Sequence, residues 1–270
     1  MNALVGEKLS IVTSKAQTTR HRILGIVNDE DYQIVFSDTP GVVNAAYKLH
    51  DTMMEYVSTS LQDADVLLFV TDTQEKKMNH EETLERIKKL KVPVLCLINK
   101  IDLSQQDKVT ERMAYWQNEL PTAEVFPISA LHKFNLDLVW ERIRTLIPES
   151  PPYYDKEELS DRPMRFFVSE IIREKIFNFC QKEIPYSCQI EIEHYEETPH
   201  IINIRAVIVV ERDSQKGIVI GKGGEMLKKI GRQARIDIQK FLDKKVFLES
   251  FVKVDKDWRT SEAKLKKYGY

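Results

Sequence analysis

The stretch that most constrains this chain is Val94-Leu95-Cys96-Leu97-Ile98, an unbroken apolar run entered through Pro93. A run this short with no polar alternation suits a strand covered on both faces, the situation of a parallel strand between two layers of helices. Such a strand needs others beside it, delivered by helical crossovers. Apolar patterning predicts strands over 23–27, 32–37, 65–71, 92–98 and 124–127, and helices over 47–60, 79–90, 108–119 and 135–146. This alternation predicts an α/β fold with a doubly wound sheet. Ahead of it, Met1 to Gly6 reads as the end of a short helix stopped on a glycine cap.

Ligands on open α/β sheets sit at the carboxyl ends of the strands, so the residues just beyond each strand are the candidates. The run at Val94 leads into Asn99-Lys100-Ile101-Asp102. A fixed carboxylate at Asp102 can accept from both the ring N–H and the exocyclic amine of guanine, a pair that adenine does not offer. Lys100 can lay its aliphatic stem on the purine face, and Asn99 can tie the loop to its neighbours. Earlier, the strand ending at Ser37 leads into Asp38-Thr39-Pro40-Gly41. There a carboxylate can hold a magnesium ion through water, Pro40 stiffens the turn, and Gly41 lets backbone approach a phosphate. The strand at Val125 leads to Ser129-Ala130, where a backbone N–H can meet the guanine oxygen. Each pattern alone also fits an ordinary turn or strand exit.

In combination they say more. The three motifs occur in this order, each at a strand end, at spacings similar to those of translation-factor-type GTPases. The loop Ala16-Gln17-Thr18-Thr19-Arg20-His21-Arg22 narrows the resemblance to the Era GTPases. That resemblance implies a P-loop-NTPase-like domain that binds GTP and GDP with Mg2+ and converts GTP to GDP and phosphate. It implies guanine-nucleotide contacts at Asp38, Thr39, Pro40, Gly41, Asn99, Lys100, Asp102, Ser129 and Ala130. One of Thr18 and Thr19 would close on magnesium and the terminal phosphate, with Thr19 and Asp38 linked to the metal indirectly. Val42 stands where Ras-like proteins carry a catalytic Gln, so no catalytic side chain is assigned.

One departure matters. No Gly-x-x-x-x-Gly-Lys-Ser/Thr loop occurs: the first glycine is Gly6, and none lies between Gly41 and Gly217. The expectation is therefore a chain that begins just after the phosphate loop, with Met1 an internal methionine, the first strand of the sheet missing, and no hydrolysis by the chain as written.

At 270 residues the chain has room for about two domains. Pro148-Glu149-Ser150-Pro151-Pro152 cannot continue a helix or strand, so the division falls there: 1–148, a connector over 149–162, and 163–270. The net charge of −2 conceals an asymmetry, because from Ser214 onward fifteen Lys and Arg face seven Asp and Glu. Such a basic end on an acidic body points to nucleic acid. Its elements read helix over 165–180, strands over 187–195 and 201–211, a short helix, Gly221-Lys222-Gly223-Gly224, a helix with Leu227, Ile230, Ala234, Ile238 and Phe241 on one stripe, and a strand over 246–254. Gly-x-x-Gly between helices lets a sugar-phosphate chain pass close while the next helix offers its positive N-terminus. Lys222, Lys228, Lys229, Arg232 and Arg235 add charge, and Ile218, Val219 and Ile220 either line a groove for unstacked bases or pack the core. The order resembles an α+β type II KH domain.

Ser169-Glu170-Ile171-Ile172-Arg173-Glu174-Lys175 also resembles the Era GTPases. For the whole chain the resemblance implies RNA rather than DNA binding, at the 3′ end of small-subunit (16S) ribosomal RNA on the 30S pre-subunit during its assembly. It implies a cytoplasmic monomer, with peripheral membrane attachment in some members. The alternative is an RNA-binding KH protein whose nucleotide domain is degenerate. Cys96, Cys180 and Cys188 lack metal-ligand spacing and read as buried thiols.

Overall fold

The computed structural model describes residues 1–75 and 80–270. The first half carries α1 (Asn2–Val5), β1 (Ile23–Asn28), β2 (Gln33–Asp38), α2 (Lys48–Asp63), β3 (Leu67–Asp72), α3 (Glu81–Lys88), β4 (Val94–Asn99), α4 (Gln106–Glu119), β5 (Glu124–Pro127) and α5 (Leu136–Leu146). The second half carries α6 (Met164–Phe179), α7 (Ile184–Ser187), β6 (Gln189–Glu197), β7 (Ile202–Val210), α8 (Asp213–Ile220), α9 (Glu225–Leu242), β8 (Val246–Val254) and α10 (Glu262–Lys267). The helix expected over 79–90 opens at Asn79, outside the described residues, and α3 is its described part.

β4 is the middle of a parallel sheet ordered β3-β4-β5. Its alternate residues enter two different cores. Leu95 and Leu97 pack with Val139 and Ile143 of α5, whereas Cys96 and Ile98 pack with Val57, Leu61 and Trp116 from α2 and α4. That two-sided burial is what the apolar run demanded. β1 and β2, which no helix separates, pair antiparallel instead, and among the described residues no ladder joins them to β3. Packing holds the two sheets together, since Ile34 and Phe36 of β2 enter the same cluster as Leu95 and Leu97. α1 rests on β1 at Gly25, where a Cβ would lie 2.8 Å from the Val5 side chain.

The proline-rich connector forms no helix or strand but is laid along β1. Ile26 N–H donates to the Leu159 carbonyl at 2.8 Å, and Gln33 Oε1 accepts from the N–H groups of Tyr153 and Tyr154. Beyond it, β6-β7-β8 form a sheet in that order, β7 antiparallel to β6 and parallel to β8. One face is covered by α6 and α9, with Ile230, Ala234 and Ile238 packed on Ile204, Ala206 and Ile208. On the other face Val207 and Val209 meet Trp258, Leu265 and Tyr268, and also Leu49 and Met53 of α2. The two halves therefore share a core, which a reading of separate domains did not anticipate. The short α7 and α10 carry no periodic apolar signal and were not foreseen.

Candidate nucleotide and RNA sites

β4 delivers Asn99 to the carboxyl edge of the parallel sheet, and the chain then turns sharply through Lys100, whose φ of 61° is left-handed. A lysine adopts that region only when its surroundings hold it there. Asn99 Oδ1 does so, accepting the Lys100 N–H at 2.8 Å and the Ala130 N–H at 2.9 Å. Ile101 N–H donates to the Ile128 carbonyl at 3.3 Å, a second tie between the loops after β4 and β5. Ser129 Oγ donates to Asp102 Oδ1 at 2.6 Å, and the other carboxylate oxygen has His132 Nε2 at 3.9 Å. A carboxylate oriented by one hydroxyl still has lone pairs for two adjacent N–H donors, the pattern guanine presents. Both backbone N–H groups of Ser129-Ala130 have partners here, that of Ala130 donating to Asn99 Oδ1 and that of Ser129 to the Phe134 carbonyl at 3.3 Å.

Lys100 Nζ pairs with Asp72 Oδ2 at 2.8 Å. Asp72 closes β3 directly opposite Asn99 in the register, and its Oδ1 accepts the N–H groups of Gln74 and Glu75 at 2.8 and 3.0 Å. Burial opposes the charge on Asp72, but Lys100 and the two N–H groups outweigh it and hold the carboxyl below the usual range. Thr73 and Ser104 join the same two loops through their hydroxyls at 2.6 Å. Motif reading did not single out Asp72. The signal was available in its position, since a strand that pairs in parallel with β4 must end beside the Asn99 turn.

The other motif residues are dispersed. Asp38 Oδ2 accepts from Ser10 Oγ at 2.5 Å. Thr39, Pro40 and Gly41 follow without regular structure, Pro40 buried and Gly41 exposed, with open space where a Cβ would stand. Thr18 and Thr19 lie in the long loop before β1, and that loop is fixed by the second half of the molecule. Glu174 accepts from Lys8 Nζ at 2.8 Å and from the Val12 N–H at 3.2 Å. Lys15 Nζ caps the end of α6 at the carbonyls of Phe177 and Cys180, both at 2.5 Å. Arg173 Nη2 donates to the Thr18 carbonyl at 2.5 Å. Arg20 donates to the carbonyls of Pro185, Tyr186 and Cys188 at 3.1, 2.8 and 2.7 Å. Hydrogen bonding thus fixes Thr18 and Asp38 through different partners. His21, next along, is buried against Tyr270, stacked at 4.3 Å, and burial pushes its imidazole down to about 3.

The charged residues of α6 that receive this loop are themselves buried. Arg173 makes a bidentate pair with Glu170, and Lys175 bridges Glu174 to Asp237 of α9. Burial works against every charge in the cluster, yet mutual pairing keeps Glu170 and Glu174 below the usual carboxyl range and Arg173 and Lys175 above theirs.

In the second half, α8 ends at Gly221, with φ 73°, where a Cβ would lie 2.7 Å from Met226 Cβ, so only glycine fits. Gly223 and Gly224 also have positive φ, at 62° and 80°, and lead into the N-terminus of α9. Lys222, Lys228, Arg232 and Arg235 are exposed, and Lys229 Nζ stands 4.4 Å over the Phe179 ring. The apolar triplet before the loop divides: Val219 is buried in the core, whereas Ile218 is exposed and Ile220 half-buried.

A family model described as 50S ribosome-binding GTPase matches residues 1–100, and one described as KH domain matches residues 183–259. GTPase Era of Geotalea daltonii is 44% identical over 272 residues, an alignment covering 100% of this chain and 92% of that protein. The chain belongs to the Era GTPase family. Era of Staphylococcus haemolyticus is 42% identical, over 100% of this chain and 91% of its own length. The crystal structure of Era in complex with MgGDPNP and nucleotides 1506–1542 of 16S ribosomal RNA superposes with a TM-score of 0.94 at 36% identity, over 100% of this chain and 92% of that one. These matches do not bear out the expected GTPase deprived of its phosphate loop. The GTPase model matches from residue 1, and the Era relatives match along the whole chain.

Proposed function

We propose that this Era-family chain is a GTP-binding, rRNA-binding protein of small-subunit assembly, hydrolysing GTP to GDP and phosphate and binding 16S ribosomal RNA near its 3′ end on the 30S pre-subunit. The observation that carries the nucleotide half is the Asp102 carboxylate, oriented by Ser129 and backed by the Asn99–Ala130 tie. In this reading Asp102 pairs with the N1 and N2 hydrogens of guanine and Lys100 covers the base. Asp38 and Thr19 supply hard oxygen donors suited to Mg2+, which neutralises phosphate charge when bound. Thr39, Pro40 and Gly41 form the backbone turn facing the phosphates. The division of labour follows residues 1–148 for nucleotide and 163–270 for RNA, with Gly221, Lys222, Gly223 and Gly224 passing the RNA backbone. Lys228, Lys229 and Arg232 meet its phosphates, and Ile218 and Ile220 lie under its bases. The protein works in the cytoplasm as a monomer; among the described residues no helix is long and apolar enough to cross a membrane.

The test exchanges the base. In the full-length protein Asp102→Asn moves preference from guanine towards xanthine nucleotides, because xanthine offers a carbonyl where guanine has its amine; unchanged guanine preference in competition refutes the site. For RNA, Lys222→Asp with Gly223→Asp abolishes binding of single-stranded 16S 3′-end RNA while the protein stays folded, its melting temperature lowered only by the strain of a side chain at the left-handed φ of Gly223. Equal binding by a stable double variant refutes the KH assignment. A guanine preference that Asp102→Asn shifts would disfavour the degenerate-domain alternative.

A further inference from the structure

Within the proposed guanine site, on which this inference rests, the motif residues leave one question open: what directs Lys100. A lysine stem has four rotatable bonds, and its ordering on a base face is charged against affinity when the nucleotide arrives. Here the ammonium is already held. Asp72 Oδ2 lies 2.8 Å from Lys100 Nζ, while Asp72 Oδ1 is itself fixed by the N–H groups of Gln74 and Glu75, an Asx-type turn that sets the carboxylate's rotamer. The parallel register places Asp72 directly beside Asn99, so the two strand ends present the anchor and the anchored residue side by side. The Thr73–Ser104 hydroxyl contact, with Thr73 buried, locks the two loops behind the pair. The Lys100 side chain is 55% exposed and that of Asp72 25%. An ion pair so exposed contributes little to stability. Its effect falls on the orientation of Lys100.

We propose that Asp72, at the end of β3, is a positioning residue of the base site, and that the turn over residues 72–75 is a third wall of that site beside the loops after β4 and β5. It sets the path of the Lys100 stem before the nucleotide binds, leaving the aliphatic carbons for the purine face.

The experiment is a double-mutant cycle on GDP affinity in the full-length protein, with Asp72→Asn, Lys100→Met and the pair, and Asp102→Asn as reference. Asn at position 72 keeps the acceptor for the two N–H groups and removes the charge; Met at position 100 keeps an apolar stem and removes the ammonium. Asp72→Asn is expected to weaken GDP binding about 3- to 10-fold alone, and by less than about twofold when Lys100→Met is already present. The melting temperature should not move. An equal loss in both backgrounds would mean that Asp72 only supports the turn, and the proposal fails; no loss in either background also overturns it. If Asp102→Asn leaves guanine affinity and preference unchanged, the base site itself is misassigned and the Asp72 role falls with it. A loss with Asp102→Asn but none with Asp72→Asn removes Asp72 alone.

Discussion

The loop over 99–104 and the loop over 8–20 both carry residues assigned to nucleotide in the proposed function, yet they take their shapes from opposite sources. The first is held by its own neighbours along the sheet: Asn99 binds Ala130, Asp102 binds Ser129, Lys100 binds Asp72, all within the first half. The second is held by the second half of the molecule, through Glu174, the carbonyl end of α6, Arg173, and the carbonyls that receive Arg20. A loop supported by adjacent strand ends is as rigid as the sheet. A loop supported by another domain is as rigid as the contact between the domains, and it changes whenever that contact changes.

The largest expected effect tests the second loop. Arg173→Met removes the partner of buried Glu170 and the donor to the Thr18 carbonyl. Leaving one member of such a pair buried costs about 3–5 kcal/mol, readable in urea unfolding, and protease cleavage should become faster within residues 8–20. Loss of stability without faster cleavage there would show that the loop does not depend on α6.

Acid should open the same contact. The His21 imidazole is pushed from 6.5 down to about 3, so the fold favours the neutral ring. This contribution is complete above about pH 6.5 and falls away as pH drops towards 3, amounting to a few kcal/mol. Glu170 and Glu174, held below their usual range, lose stabilisation in the same direction below about pH 4.5. The urea midpoint should decline between pH 6.5 and 4.5 in the parent and much less steeply in His21→Phe, where His50, also lowered by burial, still contributes. A parallel decline in both would exclude the ring.

The smallest effect tests the first loop. Ser129→Ala deletes one charge-assisted hydrogen bond to Asp102. It should weaken guanine nucleotide binding by about tenfold, or roughly 1.5 kcal/mol, with unfolding and cleavage over 8–20 unchanged. An altered cleavage pattern would mean that the loops are not independent.

This difference also explains what was legible in the sequence. Val94 to Ile98 announced a strand buried on both faces, and the residues after it announced a candidate base loop, because both depend on local pattern and strand-end position. β8 and the α9 stripe of Ile230, Ala234 and Ile238 were readable for the same reason. The carbonyls that receive Lys15 and Arg20 were not, since each lies more than 160 positions away and a backbone carbonyl carries no residue identity. A partial clue existed in Arg173-Glu174-Lys175, three consecutive charges in a helix whose other residues are largely apolar. Three charges in a row cannot all face water on a buried helix, so partners from elsewhere were required.

The three cysteines acquire a use from where they lie. Cys96 is enclosed in β4, and burial pushes its thiol up to about 12; burial likewise takes Cys188, beneath Arg20, to about 12 and raises Cys180 against the opposing charge of Lys15. A disulfide reagent attacks only thiolate that has reached solvent. The molecule therefore carries chemical clocks at two addresses: labelling of Cys180 and Cys188 times the opening of the core between α6 and the β6-β7-β8 sheet, and labelling of Cys96 times the opening of the parallel sheet. Run with and without guanine nucleotide, or with and without RNA, the two clocks would report which partner slows which opening, without any added probe.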